Sequence, residues 1–128
     1  MKDSMINNKY YAGFEGEAQI SISYSLDNAL VLWQGYFETL LECMFDQGIE
    51  ANGVLLVWQV REGWYDDSPW EIPDIKEAIR QFSMFDAKKL KDDVSYLIAQ
   101  KLPEIASEIV KLLTEALALN EKVYILYD

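Results

Sequence analysis

The chemistry of this sequence is concentrated in one stretch, Arg61-Glu62-Gly63-Trp64-Tyr65-Asp66-Asp67-Ser68-Pro69-Trp70-Glu71-Ile72-Pro73-Asp74. Trp64, Tyr65 and Trp70 alternate there with Glu62, Asp66, Asp67, Glu71 and Asp74. Two prolines and a glycine predict an irregular loop. Loops run over the surface, where this many aromatic rings are hard to bury locally. Tryptophan and tyrosine are the side chains that most often anchor a protein interface, and carboxylates around them steer a basic partner. Glu62, Trp64, Tyr65, Asp66, Asp67, Trp70 and Glu71 are therefore the candidate partner-binding residues. Two other readings stand beside this one. The tryptophans fold back as a lid on the core while the acids stay in water, or the rings line a ligand pocket.

Other groupings offer less chemistry. Asp66-Asp67 and Asp92-Asp93 lack the spaced oxygen ligands and turn glycine of a calcium loop, and read as solvated surface. Glu38 and Glu42, like Glu104 and Glu108, stand one helical turn apart, where like charges repel by roughly a few tenths of a kcal/mol. A glycosidase needs only two acids, but nothing in the sequence marks a raised pKa or a sugar platform. Cys43 flanks an apolar stripe and reads as a buried, inert thiol. The 128 residues include no histidine, which removes His-based acid–base catalysis, Ser/His and Cys/His nucleophiles and imidazole metal sites. A single cysteine removes intrachain disulfides and Cys-based zinc sites. The chain is expected to be no enzyme and to carry no catalytic residue, metal or cofactor.

Eleven basic against 22 acidic residues leave a net charge of −11. That charge opposes DNA, RNA and anionic lipid, whose phosphates call for Lys and Arg. It favours a basic partner, or serves solubility alone. The basic cluster Lys88, Lys89 and Lys91 is surrounded by Asp86, Asp92 and Asp93, so it does not favour nucleic acid either. The segment Met1 to Lys9 has no apolar core of a secretory signal, and Met5 is an alternative start. No run of 18 apolar residues is present to span a membrane. With one cysteine, a reducing cytoplasm is the expected location.

The elements that must hold the loop follow from periodicity. Ala18, Ile20, Ile22 and Tyr24 alternate with Gln19, Ser21, Ser23 and Ser25, which predicts a strand with one buried face. A hairpin turning near Gly16 would precede it. Leu26, Ala29, Leu30, Trp33, Tyr36, Phe37, Leu40, Leu41 and Met44 recur at helical spacing and predict a long helix over 26–47, capped by Ser25 or Asp27 and stopped at Gly48. Gly35 inside it suggests a close neighbour. Val54–Val60 is short, apolar and rich in β-branched residues, and predicts a central strand buried on both faces. Asp74, with Glu77 three residues on, predicts a capped helix to about Phe82. Asp86 caps another, carrying Leu90, Val94, Leu97 and Ile98. Pro103 suits the first turn of a last helix that ends at Asn120, and Val123–Tyr127 closes the chain as a strand pairing with the central one. The fold expected is a single α+β domain, 1–128, with a mixed three- to four-stranded sheet and about four helices packed against it.

Small size, acidity, the absence of catalytic machinery, the stretch Gly63–Glu71 and the acidic α/β pattern over the whole chain resemble bacterial toxin-neutralising immunity proteins. More narrowly, they resemble those of contact-dependent growth inhibition systems. The resemblance implies cytoplasmic binding to the C-terminal toxin domain of a large delivered protein, often a nuclease, with the acidic surface occupying or flanking the toxin's cationic substrate site. It assigns no role to any single residue. Two other classes remain open: an acidic nucleic-acid mimic that inhibits a DNA-binding protein, which should spread its carboxylates along a broad face, and a small enzyme using carboxylates alone.

Overall fold

The computed structural model describes residues 5–25, 27–90 and 94–128. Lys91, Asp92 and Asp93 lie outside them, as does Leu26. Strands β1 (Met5–Tyr10), β2 (Gln19–Ser25), β3 (Asn28–Trp33), β4 (Trp70–Glu71) and β5 (Tyr124–Tyr127) form one mixed sheet in the order β1-β3-β2-β5-β4. The helices are α1 (Gln34–Asp46), α2 (Gly53–Val60), α3 (Ile75–Ser83), the single turn α4 (Tyr96–Ala99) and α5 (Leu102–Ala118). The α+β class is as expected, with five strands where three or four were anticipated.

β2 follows its alternation: Ile20, Ile22 and Tyr24 are buried and the residues between them are half-buried. The predicted helix over 26–47 is corrected at its front end. Residues 28–33 are strand β3, and the helix begins only at Gln34. β3 pairs antiparallel with β2, placing Leu32 opposite Ile20 and Leu30 opposite Ile22. The oxygen of Ser25 serves the hairpin instead of a helix cap, accepting from the Asp27 amide at 3.3 Å and from Asn28 Nδ2 at 2.8 Å. The expected hairpin at Gly16 is also absent, because β1 pairs parallel with β3 and not with β2. A parallel pair needs a crossover, and here the chain crosses through 11–18 and the whole of β2.

The predicted central strand at 54–60 is helix α2. Val54 and Leu55 face the core while Leu56 and Val60, one turn apart, are 42% and 49% exposed. β5 accordingly pairs with β2 and β4, not with 54–60. The local signals fared better. Asp74 Oδ1 accepts from the Glu77 amide at 3.1 Å and starts α3. Pro103 sits in the first turn of α5, and Asn120 follows that helix at φ 57°. Asp86 does cap a turn, accepting from the Lys88 amide at 2.9 Å, but the turn runs only over Ala87–Lys89, with helix resuming at Tyr96.

One core joins these layers. Leu102, Ile105, Ile109 and Leu113 of α5 and Phe37, Leu40, Leu41 and Met44 of α1 cluster with the inward residues of β2 and β3. No helix among the described residues is long and apolar enough to cross a membrane.

Gly35 lies in the first turn of α1 beneath the indole of Trp33, which is stacked on Phe14 at 4.2 Å and donates from Nε1 to Glu17 at 3.2 Å. A Cβ on residue 35 would fall among the Trp33 ring atoms. Alanine ordinarily stabilises a helix by about 1 kcal/mol over glycine; here Gly35→Ala is expected to lower stability by about 1–3 kcal/mol through overpacking. In a Trp33→Ala background the same change should become neutral or stabilising. Chemical denaturation of the two singles and the double checks both expectations.

Candidate functional site

The chain leaves α2 through Arg61, which adopts a left-handed conformation at φ 59° and ψ 48°. The Glu62 amide then bonds the Val57 carbonyl at 3.1 Å, closing the helix end. Gly63, at φ 70°, opens a single 3-10 turn through Tyr65. Any Cβ at residue 63 would strike Val57 and crowd the Trp70 indole. The amides of Asp66 and Asp67 fold back on the Gly63 carbonyl at 3.2 and 2.8 Å. A cis Ser68–Pro69 peptide follows, and β4 then joins the sheet edge, with Trp70 paired to Ile125 and Glu71 to Tyr124. Ser68 Oγ accepts from the Tyr127 amide at 2.9 Å, and the Ile72 amide donates to the Val123 carbonyl at 2.9 Å. The segment is thus a folded ledge, held to β5 on both sides of β4, and not the irregular surface loop expected.

The seven candidate residues separate by depth. Trp64 is 1% exposed, enclosed by Phe37, Tyr65 and Trp70 with ring centroids at 5.7, 5.1 and 5.5 Å. It is the lid of the alternative reading, and its place as a surface anchor is corrected: a side chain already in the core has no surface left to offer. Tyr65 and Trp70 are half-buried. Glu62, Asp66, Asp67 and Glu71 are exposed along the rim of the ledge. Glu71 lies 3.9 Å from Lys122, a contact of two exposed groups that adds little.

Beneath the ledge lies a polar knot. Glu38 of α1 accepts from Trp58 Nε1 at 2.6 Å, from the Tyr65 hydroxyl at 2.9 Å and from Arg61 Nη1 at 3.1 Å to both oxygens. Arg61 also donates to the Tyr65 oxygen at 2.9 Å, with its guanidinium carbon 5.4 Å from the Trp58 and Tyr65 ring centres. The pair Glu38/Glu42 is therefore not two repelling surface charges, since Glu38 is compensated by three donors while Glu42 remains exposed. The Tyr65 phenol is held well above the ordinary tyrosine range, by burial first and by its bond to the Glu38 carboxylate second. The phenol donates to the carboxylate, which also accepts from Trp58 and Arg61. In the other acid pair, Glu104 lies 3.8 Å from Lys9 and 3.7 Å from Lys101.

Glu38, Trp58 and Arg61 were not among the candidate partner-binding residues, and Glu38 was weighed only as one of a pair of acids. No periodicity signals them, because α2 ends at Val60 and the chain reverses through Arg61 before Tyr65 meets Glu38.

No family model, no curated protein and no solved structure matches the chain. The chemistry of the site is the guide that remains. Among the described residues no group of three or more Cys, Asp or Glu converges to hold a metal ion. A half-open cleft of about 360 Å³ lies away from the ledge, lined by Glu42, Cys43, Asp46, Lys89, Leu90 and Ile98 among others. The Cys43 side chain is 7% exposed there.

Trp64→Ala is expected to destabilise the protein by about 3–5 kcal/mol, the range for emptying a large buried aromatic site, as read by urea denaturation. A second expectation concerns alkaline pH. A folded-state pKa above the ordinary 10.0 makes the protonated Tyr65 phenol a stabilising group that is fully present below pH 10.0 and lost as pH rises through the raised value. Tyr10 and Tyr24 act in the same direction, through burial and then the carboxylates Glu104 and Glu115. Tyr65→Phe should start about 1 kcal/mol less stable at neutral pH and decline less steeply above pH 10. An unchanged alkaline slope in that variant would remove Tyr65 from this role.

Proposed function

We propose that the chain is a non-catalytic binding protein that captures a basic protein partner on the acidic rim of the 61–71 ledge. In this reading it acts as an immunity protein of the contact-dependent growth inhibition type, neutralising the C-terminal domain of a toxin, a nuclease for preference, in the cytoplasm. The observation that carries the reading is the fixed frame beneath the rim. Glu62, Asp66, Asp67 and Glu71 project from a backbone held by the Trp64 wedge and the ties to β5, so binding has side chains but no loop backbone to order. The half-buried Trp70 lies next to Glu71 in the chain and offers an apolar ring beside these acids.

An acidic nucleic-acid mimic fits less well. Such a protein needs a continuous carboxylate face, and on α5 the acids Glu104, Glu108 and Glu115 are interrupted by Lys111 and paired in part with Lys101. The carboxylate-only enzyme gains no support from Glu38, whose oxygens are taken by its neighbours.

The test uses the purified chain and the toxin domain encoded by the reading frame immediately upstream of its gene. Trp70→Ala is expected to weaken binding by about 2 kcal/mol, roughly thirtyfold. Asp66→Lys and Asp67→Lys should chiefly slow association, with the difference from wild type shrinking as salt rises. Circular dichroism confirms that each variant is folded. Wild-type kinetics in all three folded variants would remove the ledge as the binding surface, and no binding by the wild-type chain would remove this partner.

A further inference from the structure

Arg61 stands where helices commonly place glycine. It ends α2 in the left-handed region, at φ 59°, a conformation that residues with a Cβ avoid. Between Val54 and Ile75 it is the only basic residue, among five carboxylates. Its guanidinium is held in place. Nη1 donates to both Glu38 oxygens at 3.1 Å and to the Tyr65 oxygen at 2.9 Å. The guanidinium carbon lies 5.4 Å from the ring centres of Trp58 and Tyr65, close enough for attraction between a cation and a π face.

These hydrogen bonds all use Nη1. On the opposite edge, Nε and Nη2 have no acceptor among the described residues. That edge is the planar fork that takes a carboxylate through two parallel hydrogen bonds. The side chain is 59% exposed, which leaves the fork within reach of a partner. Aromatic rings continue the surface on either side. Phe45, 39% exposed, lies 5.9 Å from Trp58, and Tyr127, 37% exposed, lies 6.3 Å from Tyr65. Neither ring adds charge. Covered by a partner, they would keep water from the fork, and an ion pair strengthens as water leaves.

Charge selects the occupant. A free anion would be repelled by Glu38 and by the acids of the rim. A carboxylate carried on a basic protein would not, because its Lys and Arg neighbours would meet Glu62, Asp66 and Asp67 at the same time. This step rests on the reading of the ledge as a capture surface for a basic protein. We propose that Arg61 is the specificity-determining contact of that surface, its free fork taking an Asp or Glu carboxylate that the partner carries among basic side chains. A surface basic throughout would meet Arg61 with like charge and be rejected. The rim attracts basic surfaces in general; Arg61 accepts those with an acid in register.

Double-mutant cycles with the toxin domain encoded immediately upstream test this. Arg61→Lys keeps the charge and loses the fork. On the toxin domain, each surface Asp and Glu is changed in turn to Asn or Gln. Arg61→Lys is expected to weaken binding by about tenfold or more, mainly through faster dissociation, whereas Asp66→Lys and Asp67→Lys slow association. Neutralising one acid of the toxin domain should weaken binding to the wild-type chain by a similar factor, a measurement that needs no variant of Arg61. Against that toxin variant, Arg61→Lys should cost less than about twofold further. A merely structural role for Arg61 predicts the same loss against every toxin variant, and that result would overturn the proposal. So would wild-type affinity in folded Arg61→Lys, or a toxin domain in which no acid matters. In each of these cases slower association of the rim variants would leave the ledge reading standing, whereas no binding by the wild-type chain would remove both.

Discussion

The enclosure of Trp64 is the constraint on which the candidate surface depends. An indole of this size buries on the order of 200 Å², and it can reach the core from the end of α2 only if the chain reverses at once. Arg61 in the left-handed region and Gly63 at φ 70° provide that reversal. Once Trp64 is seated against Phe37, Trp70 is drawn over it and β4 is delivered to the free edge of β5. The Glu38 knot then closes the side of the wedge, replacing with Arg61, Tyr65 and Trp58 the water that the carboxylate loses. Glu38 is still partly wet, with a quarter of its side chain exposed. Its contribution is therefore better understood as satisfying a polar group at the edge of an aromatic core than as Coulombic gain.

The parts of the fold legible in the sequence are those fixed by local chemistry. Asp74 and Glu77, Pro103 and Asn120 each mark a helix end through a bond or a torsion spanning a few residues. β2 was legible because only one of its faces is apolar. The failures share one cause, the loss of contrast between faces. In β3, Leu30 and Leu32 turn to the helices while Ala29, Val31 and Trp33 turn away, so both faces are apolar and the alternation vanishes. With Gln34 the first polar break, Leu30, Trp33 and Phe37 fall by coincidence at helical spacing with the residues of α1. α2 is the mirror case, with Gln59 its one polar side chain although half of it faces outward. Over eight residues an apolar helix and an apolar strand have the same composition, and tertiary packing decides between them.

The candidate site divides in the same way. The acids of the ledge were placed correctly at the surface, since solvation of a carboxylate needs no knowledge of the fold. The two tryptophans could not be ranked from sequence, because Trp64 and Trp70 sit in similar local company and differ only in what lies beneath them. Glu38 was legible as an acid on a helix but not as the centre of a knot, since its donors Trp58, Arg61 and Tyr65 follow at 20, 23 and 27 positions along the chain.

The ledge depends on β5 from three sides. On its inner side β5 packs Ile125 into the core beside Trp70; along its edge it holds Ser68 and β4; on its outer side it presents Tyr124 and Leu126. A strand of four residues has little stability of its own. Anything that orders β5 from the outer face therefore also steadies the ledge that β5 anchors. Trp70 and Glu71 pair with the strand and Ser68 accepts from its Tyr127 amide, so loosening β5 would release the backbone that carries Asp66, Asp67 and Glu71.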